Sequence, residues 1–461
     1  MVAVMSAGAR GAAWKIVGVC SIAAFVVQLD GSALNVALPQ IGRSFGVPLT
    51  VLQWVVDAYA LLFACLLLST GAASDRFGPR RVFICGYGLF AAASIICALS
   101  PTPELLIAGR ALQGIGGSIL VPSSLSLINH ACGDDQALRT RAIGLWTAGG
   151  GVAVSAGPVI GGIFVGSFGW RSIFLVNIPI CLSGIWLALR YAERVAGSAA
   201  RGFDWPGQIL AIISLLGLVA GIIEGGARGW NPQVVLLGMA IFFVFGAMFL
   251  RVEQRSPSPI LPLGLFRERV FTCTLGVGFV LSFCAFGLVF ALSIYFQNVL
   301  SYSPAEAGFA FVPFAVMVTV SNLIGSNAAA RIGSGPAITT ALVLAAIGFV
   351  AMTAMDAAST YGQILPAQLL ARLGIGAAIP LTTSILLSAA AKSESGLASG
   401  VLNAVRQTGA AIGVAVFGAL MIGDNVRGLR VGVMICAALL LLAAGAAALS
   451  VRDSRMNSRA R

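Results

Sequence analysis

The chain has 461 residues, of which 58% are hydrophobic and only 10% charged, and its mean hydropathy is +0.97. A water-soluble globular protein carries about 25% charged residues, so the composition excludes a soluble enzyme or binding module and predicts an all-α polytopic membrane protein. The formal net charge of +12 does not read as nucleic-acid binding, because the arginines lie in short stretches between apolar runs, where they act as topology signals.

Apolar runs bounded by charges, Pro or Gly predict fourteen spans, since roughly 20 apolar residues cross a bilayer. The first six cover 16–38, 51–73, 82–99, 105–128, 142–165 and 173–189. A polar connector, 190–204, leads to two more spans at 209–223 and 234–250. A second connector, 251–269, holds Pro257, Pro259 and Pro262. The last six cover 271–295, 308–326, 337–355, 364–389, 397–421 and 431–449. The chain is thus divided into a six-helix bundle (14–190), connectors with two extra helices (191–269), a second six-helix bundle (270–450) and a basic cytoplasmic tail (451–461). Arg10 and Lys15 precede the first apolar run, and no cleavage site follows it, so that run reads as a membrane helix rather than a removed leader.

With the N-terminus placed inside, Arg76, Arg80, Arg81, Arg139, Arg141, Arg190, Arg194, Arg201, Arg251, Arg255, Arg267, Arg269 and the tail all fall on the cytoplasmic side. Arg43, Arg171, Arg228, Arg427 and Arg430 fall outside, and Arg110, Arg372 and Arg406 fall within spans. This bias predicts that both termini are cytoplasmic.

Asp30 interrupts the first span after a run from Ile16 to Leu29 that carries no charge. An ionisable group at that depth costs several kcal/mol unless it is paired or faces water, and by default it marks an ion or substrate path. The plainer alternative is a local bond to the helix backbone or to Asn35. Arg110, in the fourth span, must also find an acceptor, either backbone carbonyls or Asp30, and Gln113 lies on its face. Asp57 lies near the outer end of the second span, where it either lines the vestibule or snorkels to the interface. Arg406 is placed more deeply and faces the interior. Glu224, Glu306 and Asp356 fall at predicted loops and read as solvated. The nine cysteines are scattered singly and the one His, His130, sits at a helix end, so no metal site is indicated. There is no GxxxxGK[ST] loop, which argues against ATP-driven transport.

An internal repeat is legible. Arg110-Ala-Leu-Gln-Gly-Ile-Gly in the fourth span matches Arg372-Leu-Gly-Ile-Gly in the twelfth, and each run continues to a proline, Pro122 or Pro380. Repeated halves in a membrane chain point to a transporter whose site lies near the midplane between them. In the fifth span Gly157, Gly161 and Gly162 leave a smooth face for close helix approach, and Pro158 permits a bend.

Gly71-Ala72-Ala73-Ser74-Asp75-Arg76-Phe77-Gly78-Pro79-Arg80-Arg81 makes a tight cytoplasmic turn, in which Asp75 is expected to pair with an arginine or cap the next helix. The pattern resembles the signature loop of the major facilitator superfamily, with Pro79 where a basic residue is usual. Arg110, Gln113, Gly114 and Gly116 resemble the fourth-helix motif of its drug exporters. Gly157-Pro158-Val159-Ile160-Gly161-Gly162 resembles the antiporter motif, with Ala153 in place of its first Gly. The stretch from Leu29 to Pro39 is similar to the first-helix motif of the fourteen-span drug:proton antiporter branch (EmrB/QacA-like), with Ser32 for the usual Thr. Trp170 to Pro179 and Asn403 to Gly409 also look typical of that branch.

The resemblance covers residues 28–449. It implies the major facilitator fold, two six-helix bundles plus two extra helices, in a monomer of the bacterial cytoplasmic membrane. It further implies a proton-coupled exporter of cationic or neutral amphiphiles, working by alternating access and without cofactor, nucleic acid or ATP. In that reading Asp30 and Arg110 couple protons. Asn35, Asp57, Gln113 and Arg406 line the substrate cavity or vestibule. Gly71, Asp75, Arg76, Gly78 and Arg80 form the gating loop, and Gly157, Pro158, Gly161 and Gly162 form the antiporter helix. The alternatives are a dedicated exporter of one endogenous metabolite and, from another class, a non-transporting membrane sensor.

Overall fold

In a medium without water every backbone N–H and C=O must be satisfied inside the chain, and an apolar segment meets that demand as a helix. The structure, a computed structural model, describes residues 7–133, 135–195, 204–256, 261, 263–389 and 395–459, and among these it has no strand. The first bundle is α1 (Ala7–Phe45), α2 (Leu49–Phe77), α3 (Pro79–Leu99), α4 (Pro103–Cys132), α5 (Gln136–Phe168) and α6 (Ser172–Tyr191). The pair α7 (Trp205–Ala227) and α8 (Pro232–Arg255) follows. The second bundle is α9 (Arg269–Asn298), α10 (Pro304–Ala310), α11 (Val312–Ile332), α12 (Ser334–Ala351), α13 (Tyr361–Ala389), α14 (Ser395–Met421) and α15 (Asn425–Arg459). By length and composition 14 of the described segments can cross a membrane, with α10 and α11 together forming one of them.

The helices outrun the predicted spans. Arg43, expected in an outer loop, is in the last turn of α1, which runs on through Pro39. Residues 71–77, expected as part of a turn, are the end of α2. The tenth span begins at Pro304 rather than residue 308, is broken at Phe311, and opens with a Ser303–Glu306 capping box. The predicted basic tail is largely a continuation of α15. Arg201, Pro257, Pro259 and Pro262 of the connectors lie outside the described residues.

The repeat seen in sequence is a repeat of packing. In the first bundle α1 lies on α5, α4 joins α2 and α3, and α3 lies on α6; in the second, α9 lies on α14, α13 joins α11 and α12, and α12 lies on α15. Single left-handed glycines make the matching turns between second and third helices: Gly78 (φ 89°) joins α2 to α3, and Gly333 (φ 86°) joins α11 to α12. A side chain at either position would be strained.

The bundles meet along two main seams, α2 against α14 and α5 against α10–α11, and α1 also touches α9. On the first, α7 rests on both α2 and α14, and α8 packs on α7 through Gly217, Gly221 and Gly238. The rest of α8 faces outward: only 6% of its apolar window is buried, as suits a helix bathed in lipid. On the second seam, glycine faces glycine: a Cβ on Gly308 would stand 2.4 Å from the Pro158 carbonyl oxygen, and one on Gly162 2.6 Å from that of Pro304. Bonds across the bundles lie toward the same end, that of the α1–α2 turn. Ser293 Oγ donates to the Asn35 carbonyl (2.6 Å), Gln297 Nε2 to that of Val36 (2.9 Å) and Gln53 Nε2 to that of Ala415 (2.8 Å). Toward the other end of the α5 seam, Leu145 and Val152 of α5 and Leu323 of α11 are exposed.

A side chain at the glycine seam should therefore hold these ends of the bundles apart. Gly308→Leu is expected to lengthen the distance between spin labels placed at Phe168 and Phe309 in a cysteine-replaced background. An unchanged distance distribution would mean that this contact does not set the closure.

Candidate functional site

The polar centre of the first bundle is built on α4. Its glycines bring neighbouring backbones close: a Cβ on Gly114 would lie 2.5 Å from the Tyr59 carbonyl oxygen, and one on Gly116 2.9 Å from Phe90 N. That proximity lets Arg110, one turn before Gly114, reach the next helix, where its Nε donates to the Val55 carbonyl (3.1 Å). Its Nη1 forms an ion pair with Asp30 Oδ2 and also donates to Gln113 Oε1 (2.7 Å). The sequence left a carbonyl and Asp30 as alternative partners for Arg110, and it takes both.

Asp30 is ringed by donors. Asn177 Nδ2 and Gln113 Nε2 donate to its Oδ1 at 2.7 and 3.2 Å. Ser94 on α3 accepts from Gln113 at 2.8 Å and from Asn177 at 3.4 Å. The Tyr59 ring lies 4.4 Å from the guanidinium carbon of Arg110. Both ion-pair side chains are 1% exposed. The network thus draws on α1, α2, α3, α4 and α6. The remaining helix, α5, meets α1 two residues further along, where Ser32 Oγ donates to the Ala153 carbonyl (3.2 Å). Chemically, this is a carboxylate held against a fixed cation, with both partners withdrawn from water.

Asn177, Ser94 and Tyr59 were not singled out in the sequence. An amide inside the apolar run Ile173–Ile178 is a usable signal; one serine among the small residues of α3 is not.

The other residues named from sequence are placed as follows. Asn35 is buried, donates to the Gly31 carbonyl (3.1 Å), and its Oδ1 has no partner. Asp57 does not line an open vestibule. It is wholly buried on α2, one turn inward from Gln53, which bonds α14, and both its carboxylate oxygens lack a partner. Arg406, half-buried, donates to the Ile379 carbonyl (3.2 Å) and Thr383 Oγ1 (3.0 Å). Glu224 is not in a solvated loop: it lies within α7, half-buried, and accepts from Trp54 Nε1 (3.1 Å). Asp75 is exposed and caps nothing, because the N-cap of α3 is Gly78 without a side-chain bond. Arg80 ties the turn to the end of α6, donating to the Leu189 carbonyl (2.7 Å). Gly71 and Arg76 sit in the final turns of α2. Gly157 and Gly161 seat α5 on Ser32 and Ala33 of α1, while Gly162 seats it on α10 of the other bundle. No group of three or more His, Cys, Asp or Glu side chains suited to a metal occurs among the described residues.

Comparison with known proteins gives four findings. The family model described as Major Facilitator Superfamily matches residues 20–414 and 274–460. The chain is 36% identical over 396 residues to the methylenomycin A resistance protein of Streptomyces coelicolor, covering 86% of this chain and 83% of that one. It is 33% identical over 399 residues to the multidrug resistance protein Stp of Mycobacterium tuberculosis, covering 86% and 74%. The crystal structure of a bacterial homologue of the human lysosomal transporter Spinster, inward-facing and unoccupied, superposes with a TM-score of 0.67 at 16% identity, over 97% of this chain and 98% of that one.

Removing one member of a buried ion pair leaves the other charge uncompensated, at a cost of about 3–5 kcal/mol, whereas replacing both by apolar residues is often neutral. Arg110→Met and Asp30→Leu should each lower the melting temperature in detergent, and the double variant should recover much of the loss. Additive losses in the double variant would mean the two side chains do not act as a pair.

Proposed function

The chain belongs to the major facilitator superfamily, and from that premise we propose that it is a proton-coupled exporter of amphiphilic drugs or other toxic small molecules. It works by alternating access in the bacterial cytoplasmic membrane as a monomer, with both termini cytoplasmic and no cofactor. The resistance proteins it is similar to support the export of drugs. The Asp30–Arg110 pair, buried and tied through its partners to five helices of its bundle, α1, α2, α3, α4 and α6, is the observation that carries proton coupling.

Protonation of Asp30 removes the charge that Arg110 faces. The arginine keeps its bonds to the Val55 carbonyl and Gln113, so the cation is not left bare, but α1 loses its electrostatic tie to α4. Helix α1 carries the cross-bundle bonds at Asn35 and Val36 little more than one turn away. A proton taken up from the acidic side and released inside therefore acts on the helix that holds the bundles together. Moving one charge through 100 mV yields about 2.3 kcal/mol, enough to bias two conformations that differ by a few kcal/mol. Asp57, buried without a partner on the other seam, supplies a second protonatable group for the same cycle.

The test uses energised inside-out vesicles loaded with a pH-sensitive dye. Addition of an exported compound should release protons from wild-type vesicles and not from vesicles carrying Asp30→Asn. Release at the wild-type rate by the variant would remove Asp30 as the coupling acid. Release by one compound class alone would favour a dedicated exporter.

A further inference from the structure

The two bundles carry an arginine at matching places, Arg110 in the fourth helix of the first and Arg372 in the fourth helix of the second. Each is buried, and each guanidinium lies over an aromatic ring on the second helix of its own bundle. Arg110 lies over Tyr59 of α2 at 4.4 Å, and Arg372 over Phe314 of α11 at 4.1 Å.

There the likeness ends. Arg110 faces an acid on the first helix. The first helix of the second bundle, α9, contains no Asp or Glu, and neither do α11, α12, α13 or α14. The described acids of this half that lie outside α15, Glu306, Asp356 and Asp424, are at outer helix ends and turns, already bonded to Ser303, Ser359 and backbone amides. Arg372 makes no hydrogen bond or ion pair among the described residues, and its Nε is buried without a partner. Gln368, one turn earlier on the same face, is 1% exposed, and its Nε2 is likewise unpartnered. Arg406 on α14 likewise meets only neutral acceptors.

A buried guanidinium without a counter-ion is costly in any apolar medium. Here two neighbouring donors, one of them charged, point at no acceptor. A carboxylate answers that arrangement, since the guanidinium fork binds it with two parallel hydrogen bonds and an amide can add a third. Phe314 belongs to α11, a helix that also packs against α5 of the other bundle. We propose that Arg372 and Gln368 bind a carboxylate carried by the exported amphiphile, so that the preferred substrates are acidic rather than cationic. This rests on the exporter reading above and names its substrate class.

Binding and export are measured separately. The protein in phosphatidylcholine nanodiscs is dialysed to equilibrium against 2-naphthoate, its neutral amide, or 2-naphthylmethylamine. Wild type should bind the carboxylate most tightly. Arg372→Gln should weaken that binding about tenfold or more, the usual worth of a charged hydrogen bond, and leave amide binding unchanged, which also reports that the variant is folded. Gln368→Leu should weaken it less. Phe314→Glu, which supplies the missing counter-ion from within, should abolish it. Equal affinity for all three compounds, or carboxylate binding untouched by Arg372→Gln, overturns the proposal. So does loss of carboxylate binding when phosphatidylglycerol is added to the discs, which would make a lipid headgroup the occupant. The same compounds are then added to the energised vesicles. Proton release by the amine alone defeats the acidic-substrate proposal and leaves the exporter standing. Arg372-dependent carboxylate binding with no proton release by any compound leaves the site standing and defeats the exporter.

Discussion

A carboxylate and a guanidinium that water cannot reach must be satisfied by the protein, and the first bundle is arranged around that demand. The Asp30–Arg110 pair alone does not exhaust the bonding capacity of either group. The carboxylate takes two amide donors besides, and the guanidinium takes a carbonyl and an amide oxygen. Each of those partners comes from a different place in the chain, so the helices that supply them have fixed relative positions. The glycines of α4 follow from the same requirement, because Arg110 reaches the Val55 carbonyl only if α2 approaches within van der Waals distance of α4.

The second bundle repeats the helix packing and the cation but not the acid. Its core is apolar and aromatic, dominated by residues of α9 such as Phe283, Phe290 and Phe296, with Phe311 and Phe349 from its neighbours. In an apolar setting an unpaired arginine is an expensive feature to place by accident of packing alone. The pseudo-symmetric halves thus differ in charge balance: Arg110 is compensated by Asp30, and Arg372 faces no acid among the described residues.

Much of the architecture could be read from sequence because membrane helices are dictated by one term, the apolar transfer of a continuous segment. The fourteen spans follow from that, and so does the repeat, which rests on the Arg-Gly-Gly pattern of two helices. Helix ends were not legible. α1 passes through Pro39 to Phe45 because proline at that point interrupts one turn without ending the helix, and α2 continues to Phe77 because only Gly78 has the positive φ that stops it. Partners were legible only as categories. Arg110 plainly needed an acceptor, but the choice of Asp30 depends on a contact between residues 80 positions apart. Ser94 and Asn177 gain their roles from helix packing that leaves no trace in composition. Asp57 and Glu224 were misplaced for a related reason: exposure near a helix end depends on what covers it, and α14 and α7 cover this one.

The order of contacts along α1 places the buried ion pair beside the contacts between the bundles. Asp30 holds the carboxylate paired with Arg110. Ser32 and Ala33, within the next turn, lie under Gly157 and Gly161 of α5, close enough that a Cβ at either glycine would collide with them. Asn35 and Val36, in the turn after that, accept the hydrogen bonds from Ser293 and Gln297 of the other bundle. The ion pair, the seat of α5 and the contact between the bundles therefore fall within seven consecutive residues of one helix. At about 1.5 Å per residue, a shift of α1 at Asp30 would reach the contacts with the other bundle without a relay of side chains. Gly162, on the α5 face turned to α10, lies at the second seam.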